Sequence, residues 1–125
     1  EIPGSQVLDF GKYAFDHADK IVELYQNAEF VIAMRGHSQI IPIGFEVPVI
    51  ALYNHSKHQG LMKKLELESY GVNITDCDFQ AKFADIYRRV SEHYDTYREK
   101  LAGLRQDLNC KTDIALKTLV SHIMS

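Results

Sequence analysis

The chain has 125 residues, of which 46% are hydrophobic and 25% charged, the size and composition of one soluble domain with a genuine core. A formal net charge of -3 excludes wholesale nucleic-acid binding while leaving room for a local basic pocket. Only Cys77 and Cys110 are cysteines, with no CxxC spacing, and no apolar run approaches the roughly 20 residues that span a bilayer; a disulfide scaffold, a zinc centre and a transmembrane segment are therefore not expected, and a reducing cytoplasm is the expected location.

The first dozen residues carry Pro3, Gly4 and Gly11 and no clear period, so an irregular start is expected over 1–12. From about Tyr13 to Gln26, Ala14, Ala18, Ile21, Val22 and Tyr25 recur at spacings of three and four, which predicts an amphipathic helix against the first strand. That strand is read at Phe30 to Met34, short and apolar. His37 to about Phe45 is apolar nearly all round and reads as a buried crossover helix, with Pro42 near its first turns, where a missing N–H costs little. Val49 to Tyr53 is the second strand, preceded by Pro48. A helix from about Lys57 through Leu67 should turn Leu61, Met62 and Leu65 inward, and Gly71 to Thr75 is a short third strand.

From Asp78, read as an N-cap, a stripe of Phe79, Phe83, Ile86, Val90, Tyr94, Tyr97, Leu101, Leu104 and Leu108 predicts one long helix or two collinear ones. The stripe is suited to covering its own sheet or to packing on a partner, including a second copy of the chain. Thr112 or Asp113 is expected to cap a last helix through Ile123. The order defines an α/β, Rossmann-like three-layer domain, with an α/β core over 13–77 and a helical segment over 78–125. Three strands make a narrow sheet whose edges need covering.

Two strands end in polar clusters, Arg35, Gly36, His37 and Ser38 after the first and Asn54, His55, Ser56 and Lys57 after the second. In a parallel sheet all strand carboxyl ends lie on one edge, where ligands usually bind, so the clusters converge. Each leads into a helix N-terminus whose free N–H groups favour an anion. Arg35 adds a bidentate guanidinium, Gly36 permits close approach, His37 exchanges a proton near neutral pH, Ser38 adds a hydroxyl and Lys57 a second cation, with Asn54 and His55 as further polar groups. The whole is a small anion site with proton-transfer capacity. His55 and His58 have ligand spacing but no neighbouring carboxylate or cysteine, so no metal site is assigned. His17, His93 and His122 fall on polar helix faces, and the seven tyrosines lack the basic interleaving of an RNA surface.

The string from about Asp19 to Leu67, with AEFVIAMRGHS, then PVIAL, then NHSKHQGLMKKL, resembles the carboxyl-terminal half of the polysaccharide pyruvyl transferase family. In that family a hydrophobic strand ends in Met-Arg-x-His-Ser or Ala, here Met34, Arg35, His37 and Ser38, and a second strand ends in a polar turn with Lys, here Lys57 ahead of Gly60 and Leu61. The resemblance implies one half of a GT-B-like enzyme that transfers pyruvate from phosphoenolpyruvate to a sugar as a ketal during surface-polysaccharide synthesis. It implies Arg35 and Lys57 on the donor's carboxylate and phosphate, His37 as general acid or base, no cofactor, and a saccharide acceptor carried by an amino-terminal half. Glu29 stands where the family commonly has Asp, and Glu46 where it commonly has Gly. A full member is roughly two to three times longer, so this chain is expected to be a fragment, an excised domain or a degenerate protein, inactive alone. The rival readings are a nucleotide-sugar glycosyltransferase half, and a non-catalytic interaction domain dimerising through its long helix.

Overall fold

A computed structural model describes Gly4 and Ser5, Ala18 to Asn54 and Ser56 to Met124, without the side chains of Ala18 and of residues 56–58. Helix α1 is Ala18–Asn27, β1 Val31–Ala33, α2 Gly36–Gly44, β2 Val49–Tyr53 and α3 Ser56–Lys64. A 3-10 turn at Glu68–Tyr70 enters β3 at Gly71–Asn73, and α4, Phe79–Glu92, is followed by α5, Tyr94–Met124. The expected residues 13–17 of the first helix and the irregular start, apart from Gly4 and Ser5, lie outside the described residues.

The sheet is parallel throughout in the order β1-β2-β3, with Ala33 opposite Ala51 and Ala51 opposite Gly71. Successive strand residues face opposite sides, so the burial of Val49, Ile50 and Ala51, each 0% exposed, means that both faces of the central strand are covered. Helix α2 packs on β1 and β2, α3 on β2, and α4 on β3. The short sheet, its flanking helices and the long carboxyl-terminal helix are as expected from the sequence.

Several local expectations are corrected. Pro42 lies in the second half of α2, not its first turns, and has no N–H to return to the Ser38 carbonyl. α2 is also not buried all round. Gln39, Pro42 and Ile43 face inward while Ile40 is 48% exposed, because only one side of the helix meets the sheet. Val22 of α1 is likewise exposed, whereas Tyr25 is buried. In α3, Met62 is fully buried, and the helix stops at Lys64 rather than at Leu67. β3 ends at Asn73, because the Asn73 carboxamide oxygen takes the Thr75 N–H at 3.0 Å and the Thr75 hydroxyl at 2.7 Å, bending the chain into an Asx turn.

Asp78 is the N-cap of α4, as expected, but its side chain makes no capping hydrogen bond; its carboxylate pairs with Lys82 at 3.3 Å instead. The long stripe is split at His93 into two helices and covers the sheet as far as Leu104. No new helix starts at Thr112 or Asp113. The Thr112 hydroxyl donates back to the Leu108 carbonyl at 2.9 Å, a bond made inside a continuing helix, and no Pro or Gly interrupts that region.

Both crossover helices end in the same way. Glu46 N–H donates to Ile43 C=O at 3.0 Å and Val47 N–H to Pro42 C=O at 2.9 Å; Glu66 and Leu67 repeat the pattern on Lys63 and Met62 at 3.0 and 2.8 Å. This Schellman arrangement requires one residue in the left-handed region, and Glu46 (φ 60°) and Glu66 (φ 57°) occupy it. A glycine would sit there without a Cβ penalty, which gives a physical reason for the preference that the resemblance carries at Glu46. Helix α5 braces both turns. Arg98 Nε donates to the Glu46 carbonyl at 3.3 Å, and Lys100 Nζ donates to the Glu66 carbonyl at 2.7 Å.

Between those braces, Tyr97 is 1% exposed, and its hydroxyl donates to Val49 C=O at 2.8 Å while accepting Val49 N–H at 3.3 Å. One turn earlier, the Tyr94 hydroxyl donates to the Glu29 carbonyl. Helix α5 therefore closes the amino edge of the sheet. Tyr97→Phe should lower stability by about 2 kcal/mol, because two buried backbone groups lose their partner; urea unfolding measures it.

Alkali should act through the same cluster. Burial first, and Glu68 second, push the Tyr53 phenol up to about 12, and burial raises Tyr97 as well. A folded pKa above the ordinary 10.0 means that the contribution is complete below pH 10 and is lost as pH rises through the folded value. The urea midpoint should therefore fall between pH 10 and about 12, and the Tyr53→Phe, Tyr97→Phe double variant should lose most of that slope.

Candidate functional site

The carboxyl edge opposite α5 is where the polar strand ends collect. Arg35 follows β1 by two residues and is the N-cap of α2, with extended backbone (φ -103°, ψ 155°). Ser38 holds this turn: its hydroxyl accepts the Arg35 N–H at 3.2 Å and donates to the Arg35 carbonyl at 2.7 Å. This is one half of a capping box. Arginine has no acceptor with which to return the bond, so the guanidinium stays out of the cap and is exposed. Ser38 thus serves the turn with both its donor and acceptor functions, and its hydroxyl proton is already committed.

The first N–H groups of a helix have no intrahelical acceptors, and at α2 they belong to Gly36, His37 and Ser38. A Cβ added at Gly36 would meet nothing within 4 Å, so the space over this turn is open, and packing does not force the glycine. His37 is exposed at the second helical position. Among the described residues no carboxylate lies within ion-pair distance of Arg35, whereas in α4 Lys82, Arg88 and Arg89 are all neutralised by Asp76, Asp78, Asp85 or Glu92. Neutralised cations offer little to an incoming anion. Arg35 keeps its charge available.

From the second strand, Asn54 is exposed in the bend after Tyr53. Lys57 lies in the first turn of α3, with its side chain outside the described part, and His55 is outside it altogether. Ala33, the last residue of β1, is opposite Ala51, two residues before the end of β2, so the turn that carries Arg35 leaves β1 beside the last residues of β2. The backbone therefore brings the Arg35 and Asn54 turns to neighbouring positions on one edge. Cys77 and Cys110 are exposed free thiols, and among the described residues no three His, Cys, Asp or Glu are grouped to hold a metal ion.

Two residues at this end were not singled out from the sequence. Asn73 ends β3 at the same edge, but its side chain closes the Asx turn. Gln39 is more informative. It is 0% exposed, and neither its Oε1 nor its Nε2 has a hydrogen-bond partner among the described residues. The Gln39 N–H bonds the Arg35 carbonyl at 3.1 Å, so this orphan amide is carried by the turn that presents Arg35. Its one signal in the sequence is a lone carboxamide within the otherwise apolar run from Gln39 to Phe45.

Two concave regions lie away from this edge. One, about 350 Å³, is formed by Glu29, Phe30, Tyr87, Val90, Ser91 and Tyr94 at the amino edge, and another, about 420 Å³, borders Arg89 and Gly71. Neither contains Arg35, His37 or Asn54, and the second has its cations paired with Asp85 and Asp76. The chemistry of an exposed cation at an open helix start outweighs concavity here.

Residues 9–56 match the family model for polysaccharide pyruvyl transferase. The matched stretch holds Arg35, Gly36, His37, Ser38, Asn54 and His55 and stops one residue before Lys57, so the resemblance read from the Met-Arg-x-His-Ser motif is found over this part of the chain. It supports a transferase of polysaccharide synthesis as the functional class. No curated protein and no solved structure matches the chain.

Gln39→Leu removes two buried polar atoms without partners and keeps most of the side-chain volume. It should raise the unfolding free energy by about 1 to 3 kcal/mol, measurable by urea denaturation.

Proposed function

We propose that this chain is the donor-binding part of a polysaccharide pyruvyl transferase-like enzyme, a half of GT-B character that holds phosphoenolpyruvate for transfer to a saccharide. One observation carries the reading: Arg35, without an ion-pair partner among the described residues, stands at the N-cap position of α2 over an open turn with its guanidinium exposed, inside the stretch that matches the family. A guanidinium and a helix start both favour a compact anion. Phosphoenolpyruvate has a carboxylate and a phosphate on adjacent positions, and two cationic turns on one sheet edge fit such a molecule.

In this reading Arg35 grips one anionic group through two hydrogen bonds, the Gly36 and His37 N–H groups meet the same group, and Lys57, with Asn54 and His55, meets the other. Ketal formation adds two acceptor hydroxyl oxygens to C2 of the donor, breaks its C2–O bond to phosphate, and turns the methylene into a methyl group by adding one proton. The second hydroxyl proton leaves with the phosphate. In this reading His37, whose side chain is exposed, carries protons in the exchange. The saccharide comes from a partner domain, so the chain alone binds donor without transferring it.

Thermal unfolding with phosphoenolpyruvate, uridine diphosphate or inorganic phosphate titrated in tests the proposal, since a ligand that binds only the folded state raises its apparent stability. Phosphoenolpyruvate should shift the midpoint most, and Arg35→Ala should weaken that shift by about tenfold or more in ligand concentration, with the fold intact. A larger shift with uridine diphosphate would favour a nucleotide-sugar enzyme. An unchanged response in Arg35→Ala would remove Arg35 from the site.

A further inference from the structure

Helix α5 runs 31 residues, and every residue from Arg105 to Met124 is exposed. That distal part is about 30 Å of helix at 1.5 Å per residue, with nothing from the described residues covering it. Its sequence is a poor isolated helix former, since Asn109, Cys110, Thr112, Asp113, Thr118 and Val120 all have weak helix propensity. Helices in proteins owe most of their stability to packing an apolar face.

The face is there. Leu101, Leu104, Leu108, Thr112, Ala115, Leu119 and Ile123 follow one another at steps of three or four, so the stripe buried at Tyr97 and Leu101 continues without a change of phase into the exposed half. Leu108 is 45% exposed, Leu119 56% and Ile123 73%. Leu116 and Val120 widen the stripe on one flank.

We propose that the distal half of α5 pairs antiparallel with the same half of a second copy of this chain. The stripe is complementary to itself when reversed. Leu108 meets Leu119 of the second copy, Thr112 meets Ala115, and Ile123 meets Leu104, where the stripe passes into the core. The two small residues fall at the centre and let the helices approach closely. On one flank Asp107, already paired with Lys111 at 3.1 Å, faces Thr118 and His122 of the second copy; on the other the two Asp113 carboxylates come together near the dyad, exposed to water, where screening keeps their repulsion small. A parallel pair would bring the two folded domains together at the Leu101 end, where Tyr97 and Leu101 are already buried against their own sheet. Antiparallel pairing sets the domains at opposite ends and leaves both Arg35 turns accessible, so dimerisation does not depend on donor binding.

Sedimentation equilibrium of the 125-residue chain, from about 5 to about 500 µM to span micromolar affinities, reads the association. The mass should rise from 14.3 kDa towards twice that value. Leu119→Asp should hold it at the monomer value, and Lys117→Glu, on the opposite face, should leave association unchanged. In a Cys77→Ser, Cys110→Ser background, a mixture of Thr112→Cys and Ala115→Cys chains should oxidise chiefly to the mixed disulfide dimer. A monomer at all concentrations overturns the pairing, and crosslinking of Thr112→Cys chains chiefly to one another overturns its direction.

Discussion

The Tyr97 hydroxyl on the Val49 backbone is the contact on which the arrangement of this domain depends. A parallel strand at the middle of a sheet begins with an N–H and a carbonyl that must find partners once buried, and Val49 is 0% exposed. Tyr97 supplies a donor and an acceptor with one oxygen. It therefore fixes α5 against the sheet at a single register, and the neighbouring braces follow from that register. Tyr94 reaches Glu29 one turn before, Arg98 reaches Glu46 one residue after, and Lys100 reaches Glu66 three residues after.

These partners share a location. Glu29 precedes β1, Val49 opens β2, Glu46 ends the turn out of α2, and Glu66 ends the turn out of α3. All belong to the amino edge of the sheet. Closing that edge with one helix leaves the carboxyl edge free of it, and there the Arg35 and Asn54 turns remain exposed. The domain thus separates a braced edge from a chemical edge. Gln39 sits between the two demands, buried with the core side of α2 yet carrying an unpaired amide one turn from Arg35.

The helix that closes the sheet then outruns it. Leu101 is the last fully buried residue of the stripe and Leu104 the last partly covered one, after which the same apolar phase continues in the open. A stripe continued past its own core adds nothing to the stability of a lone domain and exposes apolar surface to water. In the pairing proposed above, the element that secures the fold would also present the surface for association.

Much of this was legible because strands and helices differ in period. The runs FVIAM and PVIALY declare β1 and β2, and β2 was read at its observed bounds, since five apolar residues behind a proline have few alternatives. The Arg35 cluster was legible for the same reason: a polar turn after a parallel strand must lie at the carboxyl edge. Asp78 was read correctly as the N-cap position of α4, though its side chain pairs elsewhere; Thr75 and Thr112 were misread because each is a residue type that caps, extends or turns according to which partner is nearest. The structure gives Thr75 to the Asn73 carboxamide, Asp78 to Lys82 and Thr112 to the Leu108 carbonyl. The sequence by itself determined the alternation of elements, the polar strand ends and the apolar stripe, because these depend on local periodicity. Only the tertiary structure decided that Tyr97 pairs with a backbone 48 residues away, and that among the described residues Gln39 is left without a partner and the stripe loses its cover after Leu104. Those outcomes depend on which groups from distant parts of the chain arrive at the same place, and no local pattern records that.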